Sequence, residues 1–161
     1  MTLLITDIAP SNLQLPTDCK VVTATEERAH CVGCFGCWVK TPGECVIKDD
    51  ISRHGTDMAQ CDRLVIVSRC VYGGYSPAVK RVMDRSIPYI HPYFTTVDGE
   101  MHHRRRYDHT FDIRVHFYGD ITEGERQTAQ KLVEANRVNI YGRSVRVCFH
   151  DTPEQIGEVR L

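Results

Sequence analysis

Apolar residues follow two patterns along this chain. Short runs stand at Leu3–Thr6, Lys20–Thr23 and Arg63–Ser68, the last containing Leu64-Val65-Ile66-Val67. Continuous β-branched runs of this length mark strands buried on both faces. Strict alternation follows later. Phe111, Ile113, Val115 and Phe117 alternate with Asp112, Arg114, His116 and Tyr118, and Val145, Val147 and Phe149 alternate with Arg146, Cys148 and His150. These segments predict five strands, the last two with one apolar and one polar face.

Helical spacing separates the later strands. Ser76-Pro77 reads as an N-cap with proline at the first helical position. Val79, Val82, Met83, Ser86 and Ile87 form the stripe of that helix, and Pro88 ends it. Thr122 and Glu125 form a capping box, opening a helix that buries Ala129, Leu132, Val133 and Asn136. Asp50–Gln60 predicts a weaker helix. Residues 88–110, with Pro88, Pro92 and Gly99, predict a long irregular connection of the kind that serves a function or an interface.

Strands alternating with helices predict a right-handed parallel α/β sheet. Five strands suit a flavodoxin-like order, in which cofactors bind beyond the carboxyl ends of the strands. The first and last helices are expected to be short or missing. Asp7 to Cys19 leaves room for little more than a loop, and the segment after His150 allows about two turns opened by Thr152-Pro153. One sheet face is therefore expected to be thinly covered and polar, carrying Asp112, Arg114, His116, Arg146 and His150.

A chain of 161 residues suits a single domain, here taken as residues 1–161. A formal net charge of −1 argues against nucleic acid or an anionic membrane as the main partner. No stretch is long and apolar enough to span a bilayer, and the first residues lack the pattern of a signal peptide. A cytoplasmic location is the resulting expectation. In a reducing compartment eight cysteines point to metal or redox chemistry rather than to disulfides.

Cys31, Cys34 and Cys37 stand at i, i+3 and i+6, and Cys45 follows. Two-residue spacers let a loop wrap a [4Fe–4S] cube, and Gly33, Gly36 and Gly43 let the backbone approach its sulfurs. Pro42-Gly43 supplies a turn that returns Cys45 to the others. Three readings stand: an iron–sulfur cluster, unligated thiols beside an active site, and zinc, whose sites more often use paired knuckles. Cys19, Cys61, Cys70 and Cys148 are scattered and read as core residues.

The segment Cys31–Asp50, from Cys-Val-Gly-Cys-Phe-Gly-Cys-Trp through Thr-Pro-Gly-Glu-Cys to Lys-Asp-Asp, resembles NAD(P)H-dependent FMN reductases and iron–sulfur flavoproteins of the flavodoxin superfamily. Val71-Tyr72-Gly73-Gly74-Tyr75-Ser76-Pro77 and the helix through Arg85 are similar to the family's flavin-ring loop and the helix after it. Pro92-Tyr93-Phe94, Gly99–His103 and Arg106-Tyr107 resemble its long connection. Tyr118-Gly119-Asp120 resembles a third flavin-contacting loop. The resemblance implies a flavodoxin-like fold, bound FMN and electrons from a reduced nicotinamide. It assigns Cys70, Val71, Tyr72, Gly73, Gly74, Tyr75, Tyr118 and Gly119 to the flavin, with Tyr72 and Tyr75 packing on its ring.

The chain departs from that family after the first strand. Ile8-Ala9-Pro10-Ser11-Asn12-Leu13 replaces a Ser/Thr- and Arg-containing loop that opens a helix, and Arg69-Cys70 stands where a proline is usual. Ser11 and Asn12 remain as side-chain donors to the FMN phosphate, which is expected to be held weakly or by an unusual route. His102–Arg106 is either a second phosphate receiver or a solvated or interface charge run. The leading expectation is an FMN-dependent NAD(P)H oxidoreductase, its electrons passing through the cysteine site. The alternative is a flavodoxin-like electron-transfer or metal-binding subunit. No side chain stands out as a catalytic acid or base. Tyr89, Tyr93, Phe94 and Tyr107 predict that the 88–110 connection anchors a homodimer or larger homo-oligomer.

Overall fold

The computed structural model describes residues 1–157. Its strands are β1 (Thr2–Thr6), β2 (Cys19–Thr23), β3 (Arg63–Arg69), β4 (Ile90–Val97), β5 (Glu100–Arg105), β6 (Asp112–Tyr118) and β7 (Ser144–His150). Its helices are α1 (Gly36–Val39), α2 (His54–Gln60), α3 (Pro77–Asp84), α4 (Glu123–Asn139) and α5 (Pro153–Gly157). A five-stranded parallel sheet runs in the order β2-β1-β3-β6-β7. All five expected strands are present, and the order reverses direction at β1/β3, as in flavodoxin-like folds.

The two caps predicted from sequence form. The Ser76 hydroxyl accepts from the Val79 N–H at the start of α3, and Thr122 and Glu125 make a reciprocal capping box on α4. The weaker helix is shorter than expected, and only its second half, α2, is helical.

The segment 88–110 is not irregular. After a 3-10 turn at Ile87–Tyr89 it forms the antiparallel hairpin β4–β5, separate from the main sheet. Asp98 and Gly99 close it, both with positive φ (50° and 86°), which is the geometry of a two-residue turn matched to strand twist.

Two cores flank the sheet. The larger joins Leu3, Ile5, Leu64, Ile66, Val115 and Phe117 to α2, α3 and α4. The opposite face is thin: Leu4, Leu13, Val65, Val67 and Ile156 form a small cluster. Between β1 and β2 there is only a 3-10 turn, Pro10–Asn12. At the other end α5 is one turn long, and any second turn would lie outside the described residues. Beyond that cluster the thin face carries Arg114, His116, Arg146, Cys148 and His150 in register. His116 is buried, its Nδ1 is 3.0 Å from His150 Nε2, and burial pushes its pKa down to about 4.

His54 in α2 is fully buried with neither ring nitrogen paired, and burial likewise pushes its pKa down to about 4. The unfolded chain binds a proton there near the ordinary value of 6.5, so it takes up more protons than the folded chain between these limits. Stability present above pH 6.5 is therefore lost as pH falls toward 4. At pH 5 the loss from His54 should be about 2 kcal/mol. Denaturant titrations at pH 5.0 and 7.5 should show it, and His54→Phe should remove its share of the dependence and leave that of His116, whose pKa is lowered likewise. An unchanged slope in that variant would assign the acid sensitivity elsewhere.

Candidate functional site

Four cysteines that follow β2 line one cavity. The chain leaves that strand, and the Arg28 Nε donates back to the Thr23 carbonyl at 2.6 Å. It then passes Cys31 and turns through two left-handed residues, Gly33 (φ 65°) and Phe35 (φ 55°), into α1, which contains Cys37. The Gly43 N–H donates to the Cys37 carbonyl at 3.1 Å, and the Cys45 N–H to the Ser52 carbonyl at 2.7 Å. This return brings Cys45 beside the others. Cys31, Cys34, Cys37 and Cys45 line one cavity of about 410 Å³, walled by Val32, Phe35, Trp38, Val46, Met83 and Ile87. Burial pushes the Cys37 thiol up from its ordinary pKa, and the nearby Cys45, Cys31 and Cys34 add to the shift.

Donor number and type fit an iron–sulfur cluster: four thiols around an apolar hollow. Among the described residues no three His, Cys, Asp or Glu side chains stand close enough to hold a single ion. The donor set, four thiols, is the one that iron–sulfur clusters use. The other four cysteines lie elsewhere. Cys61 is buried in the main core, where burial raises its pKa to about 12, and Cys19, Cys70 and Cys148 are half-buried.

Trp38 ties the site to the hairpin, a role the sequence did not reveal. Its indole N–H points at the Ile90 carbonyl (3.0 Å) and the Ile87 carbonyl (3.3 Å), and its ring lies 5.1 Å from that of His103. The His102–Arg106 charges are largely occupied within the chain. Arg105 donates to the Tyr107 and His109 carbonyls, Arg106 to those of Pro88 and Ile90, and His102 pairs with Asn139.

The expected flavin-ring loop follows β3. Val71 and Gly74 exchange backbone hydrogen bonds of 3.0 and 2.9 Å, making a tight turn. Tyr72 stands at its tip, 90% exposed and with φ of 51°. Gly73 (φ 74°) presses on α4, where an added Cβ would lie 2.7 Å from the Thr128 Cβ and 2.9 Å from the Glu125 carbonyl oxygen. Tyr75 turns inward instead. It stacks on Phe117 at 5.5 Å, accepts from Asn136, and burial raises its pKa to about 12. The Cys70 N–H donates to the Tyr118 carbonyl, and the Gly119 N–H to that of His150. Of the two tyrosines expected on the flavin ring, Tyr72 alone stays open to solvent.

The phosphate end does not fit FMN in the way the resemblance implies. Pro10 has no N–H, the Ile8 N–H donates to the Thr6 hydroxyl, and those of Asn12 and Leu13 donate to the Ala9 and Pro10 carbonyls. Ser11 and Asn12 are exposed, and the Ser11 hydroxyl faces the Asn12 side-chain oxygen at 3.4 Å. Asp7 adds a carboxylate that accepts from the Arg69 N–H (2.9 Å) and the Tyr118 hydroxyl (3.1 Å). Burial, then Asp7, raises the Tyr118 pKa. α5 packs on the same loop, since a Cβ on Gly157 would reach within 2.5 Å of the Asn12 carbonyl oxygen.

A search with sequences of known proteins matches 65 residues to the iron–sulfur flavoprotein MJ1083 of Methanocaldococcus jannaschii, with 37% identity over 40% of this chain. This chain is a distant homologue of that protein. The matched segment covers 33% of the relative's length. The fold is similar to that of an NADPH-quinone reductase from P. pentosaceus, with a TM-score of 0.54 and 10% identity, over 96% of this chain and 90% of the other. That likeness bears on the fold, which is flavodoxin-like. No family model matches the chain. No helix among the described residues is long and apolar enough to cross a membrane.

Proposed function

We propose that this chain is an FMN-dependent NAD(P)H oxidoreductase that passes electrons through an iron–sulfur cluster held by Cys31, Cys34, Cys37 and Cys45. The observation that carries this is the position of the four-thiol cavity. Met83 and Asp84 of α3 line it and also line the neighbouring cavity that contains Gly74 and Tyr75. One helix therefore separates the thiols from the flavin-ring loop. The relation to an iron–sulfur flavoprotein supports the same pairing of groups.

A flavin accepts a hydride from reduced nicotinamide and releases electrons singly, which suits it to a one-electron cluster. The chain's own contribution is to hold and orient both groups. Tyr72 presents a face to a flavin ring, Gly73 holds that turn against α4, and the four thiols converge in a hollow that Trp38 and Ile87 keep apolar.

An absorbance spectrum of anaerobically purified protein, with flavin and iron analysis, tests this. Both groups should be present, with flavin substoichiometric. The missing phosphate contacts are worth about 1.5–3 kcal/mol each. Affinities for FMN and riboflavin should accordingly agree within about tenfold. FMN at full occupancy, with riboflavin bound far more weakly, would overturn the account of residues 8–13. Iron without flavin would favour a second reading, an electron-transfer or metal-binding subunit. The closed phosphate loop under α5 is what speaks for that alternative.

We also propose that the hairpin joins two copies of this chain. Tyr93, Phe94 and Met101 are exposed on β4–β5. Aromatic and methionine side chains anchor interfaces of this kind. Light scattering at micromolar concentration should give a dimer, and Phe94→Asp with Met101→Asp should give a monomer. A wild-type monomer at that concentration would refute the assignment.

A further inference from the structure

Arg85 follows α3, and its side chain is 0% exposed. Sequence gives no warning of this, because an arginine after a helix ordinarily reaches solvent. A guanidinium buried so completely must be paired, and its partners come from both limbs of the cysteine loop. Nη2 donates to the Ile47 carbonyl at 3.2 Å and to Asp49 Oδ1 at 2.8 Å. Nη1 donates to the other Asp49 oxygen and reaches the Ala29 carbonyl at 3.5 Å. Ala29 precedes Cys31, and Ile47 and Asp49 follow Cys45. Cys45 stands two residues before Ile47, whose carbonyl the guanidinium holds, and both residues line the thiol cavity. Arg28 and Asp50 form a second link between the limbs, with Nη2 to Oδ2 at 2.8 Å, but that pair is solvent-facing and less constraining.

We propose that Arg85 is a positioning residue for the cysteine site, pinning the two limbs of the loop together and setting the charge felt by the group the thiols hold. This role rests on the proposed cluster. The fork geometry supports the pinning half: a guanidinium grips a carboxylate with two parallel N–H bonds, which a lysine cannot copy. Burial supports the electrostatic half. The charge is fully buried and bonded to Ile47, a residue of the cavity wall, so solvent screens it little. When a four-thiolate cluster is reduced, one electron enters and no bond to the protein forms or breaks. The added negative charge on a cluster held here would be stabilised by the Arg85 cation behind Ile47 and opposed by the Asp49 carboxylate.

The test uses the full-length chain as wild type, Arg85→Gln, Arg85→Lys and Asp49→Asn. Each is loaded anaerobically with iron and sulfide and titrated with dithionite through mediator dyes. Hydrogen exchange of residues 29–50 is measured on the same proteins before loading. Arg85→Gln should favour the oxidised cluster by about tenfold, a fall of about 59 mV for a one-electron couple. Asp49→Asn should shift the potential the opposite way, and Arg85→Lys should stay near wild type. Exchange protection should be lost in Arg85→Gln and reduced in Arg85→Lys, which keeps the charge but not the fork.

Shifts of the same sign in Arg85→Gln and Asp49→Asn, or no shift in either, would overturn the electrostatic role. A purely structural residue would lower iron content in both and move neither potential. A wild-type chain that takes up no iron overturns the cluster reading and the tuning role with it. Pinning is then decided by exchange in the unloaded chains, and equal protection in wild type and Arg85→Gln overturns it. Should Arg85→Gln fail to fold, Arg85→Lys and Asp49→Asn carry the same comparisons.

Discussion

Cys45→Ser protein should fold normally and retain no iron when purified anaerobically. Serine keeps the size of the side chain but removes the soft thiolate ligand that iron–sulfur clusters require. The fold should survive because Cys45 lies outside both cores, and its backbone N–H still donates to Ser52. Cys61→Ser makes the opposite comparison. That thiol is buried in the main core and points to the Met58 carbonyl at 3.3 Å. Its replacement should lower stability and leave iron content unchanged. Iron assay and circular dichroism on the pair separate ligand from packing. Wild-type iron content in Cys45→Ser would remove this residue from the site.

The second large effect is expected at Gly73. Alanine there must hold a left-handed conformation, which costs about 1–2 kcal/mol, while its Cβ is forced against Thr128 and Glu125. Overpacking adds about 1–3 kcal/mol. Gly73→Ala should therefore lower unfolding free energy by about 2–5 kcal/mol in urea titrations and displace the turn that carries Tyr72. Gly74→Ala is the control, because its added Cβ meets nothing closer than 3.5 Å. Its loss should stay below about 1 kcal/mol, the ordinary scale of a glycine-to-alanine change in extended backbone. Equal losses in the two variants would show that the contact with α4 does not hold this turn.

These two sites differ in how far sequence reveals them. That the four cysteines line one cavity is legible, because regular spacing and the Pro42-Gly43 turn are local. Both helix caps are legible for the same reason, each being a contact between residues three apart. The hairpin is written locally too, as Asp98-Gly99, but Pro92 and the polar run through Arg106 mask its alternation. The β4–β5 register slips between Ile90 and Phe94, near that proline. Tyr75 reads like its neighbour Tyr72 until the packing of Phe117 and Asn136 is known. Arg85 is the clearest case of what sequence withholds. Its burial depends on carbonyls and a carboxylate brought from two remote limbs, and no window around residue 85 contains them.

Parallel order in the main sheet also governs how the chain folds. Thr2 pairs with Arg63, Arg63 with Asp112 and Asp112 with Ser144, so each pairing closes a loop of tens of residues before any contact rewards it. The β4–β5 hairpin closes across two residues, a step that takes on the order of microseconds, though such a ribbon is only marginally stable until docked. Kinetics therefore divide between a fast local piece and a slow non-local one. The chain's single tryptophan, Trp38, sits at their join, bonded to Ile87 and Ile90 at the hairpin's base. Its fluorescence during refolding times the moment when the quick piece meets the slow one.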